Sequence, residues 1–183
     1  LILVSQLAGA LSAYGAARWL GASRAASLVA AALMALAPYH LLDQNVRTAM
    51  AELLAFPWLP PLFAAGFLVG RGHRGGSAWI LLLCLAGLLL THVLTLYMAL
   101  LGLIPLALAG WLGAADGRRS ALGRLAGASA AAAGVTAWWW LPLITEIGHT
   151  SAGQVFYDAD ATLGQAGFPW EPVHRPLSGS YTH

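Results

Sequence analysis

Apolar residues run in long blocks along this chain, separated by short clusters of arginine, proline and small polar residues. The blocks fall at residues 1–17, 25–37, 53–69, 78–90, 93–112 and 125–144, and none alternates with the period of two that a barrel strand requires. Each block therefore predicts a helix, which makes the fold all-α with about six apolar helices. The second and fourth blocks are shorter than the roughly 20 residues a helix needs to cross a bilayer. They are expected to draw in flanking residues such as Ser23, Pro38, Ser77 and Thr91. Residues 78–112, taken as one helix at about 1.5 Å per residue, would reach roughly 50 Å, far beyond a hydrocarbon core of about 30 Å. Two helices turning at Thr91-His92 are predicted instead.

Composition decides which solvent these helices meet. Hydrophobic residues make up 59% of the chain, charged residues only 9%, and the mean hydropathy is +0.71. Soluble domains carry about 25% charged residues, so too little charge is present to cover a water-soluble globule. A polytopic transmembrane helix bundle with the lipid bilayer as its partner follows. All nine basic residues are Arg and the net charge is +2. The arginines lie in short clusters between blocks, without the basic stripe that nucleic-acid binding needs. Cys84 is the single cysteine, so no internal disulfide and no cysteine-based metal site forms. Rich Ala, Gly and Arg usage without Lys fits a GC-rich bacterial genome. Leu1 follows no basic segment or cleavage-site pattern, and the chain is expected to be a piece cut at both ends from a longer protein.

The arginines also orient the predicted spans. Arg18 and Arg24 flank the first connection, Arg71 and Arg74 the third, and Arg118, Arg119 and Arg124 the fifth. These connections share one side if the chain turns at Thr91-His92, and the positive-inside rule makes that side cytoplasmic. The expected location is a bacterial inner membrane, with residues 1–147 forming the bundle and residues 148–183 beginning an external region. Small residues at 127–134 are expected to let another helix approach closely.

Polar chemistry then collects on the external side. Between Pro38 and Glu52, a helix would set His40, Asp43 and Arg47 at spacings of three and four, on one face. Leu41, Leu42, Val46 and Met50 would fill the rest, the pattern of an amphipathic helix at the membrane surface near residues 39–52. The same spacing also suits a plain Asp43–Arg47 ion pair. His92 stands at the tip of an apolar hairpin, as a hydrogen-bonded anchor or as a site residue. Trp138, Trp139 and Trp140 precede Glu146 and suit an interfacial aromatic belt. Asp158 and Asp160 have the spelling of a metal-binding pair, a pattern that also arises by chance in loops. No phosphate-cradling glycine loop, nucleophile elbow or zinc-ligand cluster is present in the sequence, and no metal is expected.

The stretch from Ala37 to Glu52, the following span with Pro57, Pro60 and Pro61, then Leu90-Thr91-His92 and Trp140-Leu141-Pro142 resemble a known family. They look like the bacterial membrane proteins catalogued as 6-pyruvoyl-tetrahydropterin synthase-related, which are similar to glycosyltransferases of the GT-C fold. The resemblance covers roughly residues 18–146; Val93 departs from the Asn that the family commonly places after the turn histidine. The clustered histidines of the soluble pterin synthase are missing, so pterin chemistry is not implied. What the resemblance implies is sugar transfer from a polyprenyl-phosphate-linked donor on the external leaflet. In such enzymes the base acts from the first external loop, which here would precede Leu1, so no catalytic residue is assigned. His40, Asp43, Arg47, Glu52, His92 and Glu146 are the expected donor-binding residues. A transporter or lipid flippase, and a non-catalytic membrane scaffold, are the rival readings.

Overall fold

A computed structural model describes residues 2–38, 41, 50–73, 75–114 and 118–146. Among them are seven helices and no strand: α1 (Ile2–Trp19), α2 (Arg24–Ala35), α3 (Met50–Gly70), α4 (Ser77–Thr91), α5 (Val93–Leu112), α6 (Arg118–Val135) and α7 (Ala137–Glu146). The chain divides into two units, Leu1–Trp139 and Trp140–His183.

Local chemistry sets the breaks. Between α1 and α2, Gly21 takes φ +90°, a left-handed conformation that glycine adopts without a Cβ penalty. Ser23 then caps α2, its hydroxyl accepting from the Ala26 N–H at 3.2 Å. Within α3, residues Phe56–Trp58 tighten into one 3₁₀ turn around Pro57. Proline has no N–H to donate to the carbonyl four residues back, and that carbonyl, of Leu53, instead accepts the Ser5 hydroxyl of α1. At His92 the backbone is extended, with φ −158° and ψ 101°, which ends α4 and starts α5.

Packing fixes helix direction within the first unit. The Gln6 side chain reaches the Ala35 carbonyl at 3.0 Å, so α2 runs back along α1. Ser5 meets Leu53 near one end, while Ala16, Ala17 and Leu20 share a groove with Phe63, Ala64 and Phe67 toward the other. Helices α1 and α3 are therefore parallel. Trp58 lies against Gly87, so α4 returns antiparallel to α3. Helix α5 runs parallel to α3, because Phe63 abuts Gly102, Gly66 abuts Leu103 and Gly70 abuts Ala107. The chain thus reverses at His92, and a single helix over 78–112 is excluded. Arg124, Gly127 and Ala131 of α6 line a cavity with Ala78 and Leu82 of α4, and the Arg118 guanidinium lies 5.2 Å from the Trp111 ring centroid. The connections bearing Arg18, Arg24, Arg71 and Arg118 consequently gather at one end. Glu52, Thr91 and His92 sit at the other.

The core is built of Leu62, Ala65, Val69, Leu81, Leu88, Ala99 and Leu103, with Ala128 and Ala132 of α6 joining it. Its tightest contact is the α3–α5 crossing: a Cβ added to Gly70 would strike the Ala107 carbonyl, and one added to Gly110 the Phe67 carbonyl. The close approach expected at 127–134 is made only by its buried alanines, since Gly127 and Gly134 face open space. Outward faces are apolar too, with Leu3, Leu7 and Leu11 on α1 and Leu94, Leu101, Ile104 and Leu108 on α5 all exposed.

Two of the helices, Met50–Gly70 and Val93–Leu112, are long and apolar enough to cross a membrane. Apolar helices Arg24–Ala35 and Ser77–Thr91 are shorter. The last predicted block, 125–144, differs more: its helix begins at Arg118 and breaks at Thr136. There the Thr136 hydroxyl donates to the Ala132 carbonyl at 2.8 Å, the backbone Thr136–Ala132 bond stretches to 3.3 Å, and the Trp139 N–H reaches the Thr136 carbonyl. A threonine bonding back onto its own turn competes with the helical ladder and bends it.

In the second unit the described residues are Trp140–Glu146, the last part of α7. Pro142 sits inside this helix, and the Thr145 hydroxyl donates to the Leu141 carbonyl at 3.1 Å.

Candidate functional site

Where α3 and α5 begin, side by side and parallel, they enclose a cavity of about 310 Å³. Helix α3 contributes Glu52, Phe56, Leu59 and Phe63, a stripe at intervals of four, three and four; α5 contributes Leu94, Thr95, Met98 and Ala99. Such spacings put each set on one helical face. Glu52 is 8% exposed, two residues into the described part of α3. A buried acid that lines a mostly apolar cavity with two phenylalanines is an acceptor for hydroxyl or amine hydrogens brought in by a ligand.

His92 adjoins this cavity through Thr95. Its Nδ1 lies 2.7 Å from Thr95 Oγ1 and accepts the Thr95 N–H at 3.3 Å, capping α5. A ring nitrogen that accepts a backbone N–H carries no proton, so the Thr95 hydroxyl donates to it and the proton of neutral His92 sits on Nε2. His92 thus orients Thr95, which is buried, and Thr95 faces the same cavity as Glu52.

Of the residues expected from sequence, Glu52 and His92 are brought to one end of the bundle. Glu146 ends α7, exposed, in the second unit. His40, Asp43 and Arg47, with most of the expected surface helix at 39–52, lie outside the described residues, as do Asp158 and Asp160. Among the described residues no group of three or more His, Cys, Asp or Glu side chains is placed to hold a metal ion. Sequence reasoning missed Thr95, Phe56, Phe63 and Met98. The signal for Thr95 was its position three residues after His92, the reach of an N-cap side chain; for the phenylalanines it was their register with Glu52.

No protein-family model, no curated protein and no solved structure matches this chain.

Proposed function

We propose that this chain is the bundle of a multi-pass bacterial membrane protein whose Glu52–His92 end faces the non-cytoplasmic side. At that end, we infer, it binds the sugar donor of a GT-C-like glycosyltransferase that uses a polyprenyl-phosphate carrier. The membrane reading is supported by α5: a soluble core helix of such composition would be buried, yet only 22% of its apolar window is. If α3 and α5 both span, their parallel directions require the apolar α4 to carry the chain back across. The arginines gathered at the opposite end fit the positive-inside rule.

The observation that carries the functional reading is the cavity holding Glu52 at the end opposite those arginines. Nucleotide sugars stay in the cytoplasm, so a transferase working on the outer side needs a lipid-borne donor. Glu52 suits sugar hydroxyls and repels phosphate, which leaves Arg47 as the proposed phosphate contact. A guanidinium fork matches two phosphate oxygens where an ammonium offers a point charge. In the full-length protein, Arg47→Lys is therefore expected to lose most transfer from polyprenyl-phosphate-linked sugar in isolated membranes while expression persists. Wild-type transfer by both Arg47→Lys and Arg47→Ala would end the donor-site assignment. The transporter reading has one observation in its favour, the 3₁₀ interruption of α3 beside Glu52, since broken helices line transporter sites. Substrate counterflow without sugar transfer in reconstituted vesicles would select it.

A further inference from the structure

At the arginine end, a second cavity of about 260 Å³ lies between α4 and α6, lined by Ala78, Trp79 and Leu82 on one side and Gly127, Ala128 and Ala131 on the other. Arg124 completes its wall. The Arg124 Nη1 donates to Ser120 Oγ at 3.3 Å, but its Nε and Nη2 are shielded from solvent with no hydrogen-bond partner among the described residues. Those two atoms form the side edge of the guanidinium, the edge that takes two oxygens of one oxyanion in parallel hydrogen bonds. A buried cationic donor pair without an acceptor is costly, so an anion that reached this edge would be held. Neither atom is open to solvent, so the edge meets an anion in the cavity that Arg124 lines only when the side chain turns, and that turn is part of the proposal.

The surroundings name the anion's class. Arg71 and Arg118, at the same end, lie 5.8 Å and 5.2 Å from the ring centroids of Phe67 and Trp111. Glu52, the described acid of this unit, is at the far end. Along the connections gathered there, Arg18, Arg24, Arg71, Arg74, Arg118 and Arg119 outnumber the one acid, Asp116, so the net charge is positive, and phosphate is an oxyanion whose paired oxygens an arginine edge matches. The cavity walls, by contrast, are apolar, and Trp79 is 70% exposed beside them, as interfacial tryptophans are at headgroup depth. Gly127 leaves open space where any Cβ would project.

We propose that Arg124 and this cavity bind the phosphate of an anionic phospholipid, its acyl chains lying along Leu82 and the α6 alanines. The inference rests on the bundle spanning a bilayer, and basic pockets between spanning helices on the cytoplasmic side are physical traps for such headgroups.

The test uses the full-length protein in nanodiscs of phosphatidylcholine, with and without phosphatidylglycerol, and in detergent with inorganic phosphate. A ligand that binds only the folded state raises the thermal midpoint. Phosphatidylglycerol is expected to raise the wild-type midpoint, and Arg124→Gln to need about tenfold more lipid for the same rise, as loss of a charge-assisted pair implies. Arg124→Lys, which keeps the charge and loses the fork, is expected to fall between, and it stands in if the Gln variant does not fold. An equal response in wild type and both variants overturns the proposal. So does a midpoint rise produced by inorganic phosphate in detergent but not by the lipid, which would mark a free-anion site. Failure of the wild type to enter nanodiscs at all would instead bring down the membrane reading beneath it.

Discussion

Gly110→Ala and Gly70→Ala are each expected to destabilise the protein, although both exchange a helical glycine for the best helix former. In an exposed helix interior that exchange gains about 1 kcal/mol. Here the methyl introduced by Gly110→Ala would meet the Phe67 carbonyl, and the one introduced by Gly70→Ala the Ala107 carbonyl. Overpacking of this kind costs about 1–3 kcal/mol when side chains can shift. The obstacle is backbone, however, so the helices must move apart and the Phe63, Leu103 and Val69 contacts open with them. Cost exceeds gain, and the thermal midpoint in detergent should fall by several degrees, at roughly 2–4 °C per kcal/mol for a chain of this size. Gly134→Ala is the control, since its added methyl meets nothing within 4 Å and only the helix-forming gain remains. Equal stability of the Gly110→Ala and Gly134→Ala proteins would refute the parallel α3–α5 crossing, and with it the position of the Glu52 cavity.

If the proposed donor site is right, Glu52→Gln is expected to cut sugar transfer by about 10- to 100-fold, the loss that follows when a charged hydrogen bond to a substrate hydroxyl, worth about 1.5–3 kcal/mol, is removed. Gln keeps the size of Glu, so the cavity keeps its shape. Glu52 also has an interaction within the protein, so the melting temperature is read beside the activity. A fall in transfer larger than any fall in stability separates a residue kept for function from one kept for folding. Glu52→Gln protein that transfers sugar at the wild-type rate would remove the cavity from the donor site.

Helix positions were legible in the sequence where length forced the answer. The apolar run over 78–112 is too long to form one helix across a bilayer, so the helical rise demanded a break, and the polar Thr91-His92 pair together with the arginine distribution placed it. The gathering of Arg18, Arg24, Arg71 and Arg118 at one end followed from their connections once that break was placed. The partners of each helix were not legible. Small residues crowd the run at 127–134, yet the tight crossing uses Gly66, Gly70, Gly102 and Gly110; the Gly66-x-x-x-Gly70 spacing is a close-packing signal in the sequence that sequence reasoning passed over. Thr136 was equally silent, because its effect depends on a hydroxyl turning back to Ala132 rather than on polarity. For the site, Glu52 and His92 were marked by charge and by the turn. Thr95 and the two phenylalanines read as ordinary span residues, and only the parallel placement of α3 and α5 turns their faces toward one cavity.

Insertion of the bundle across a membrane, with the His92 end outside and the arginine end inside, underlies every functional assignment made above. It is tested most directly by single cysteines in the full-length protein on a Cys84→Ala background, one at Val93 beside the turn and one at Gly75 between α3 and α4, both exposed. A membrane-impermeant maleimide applied to intact cells should label Val93→Cys and spare Gly75→Cys until the membrane is opened. Labelling of Gly75→Cys in intact cells with Val93→Cys protected, or labelling of both alike, would contradict it.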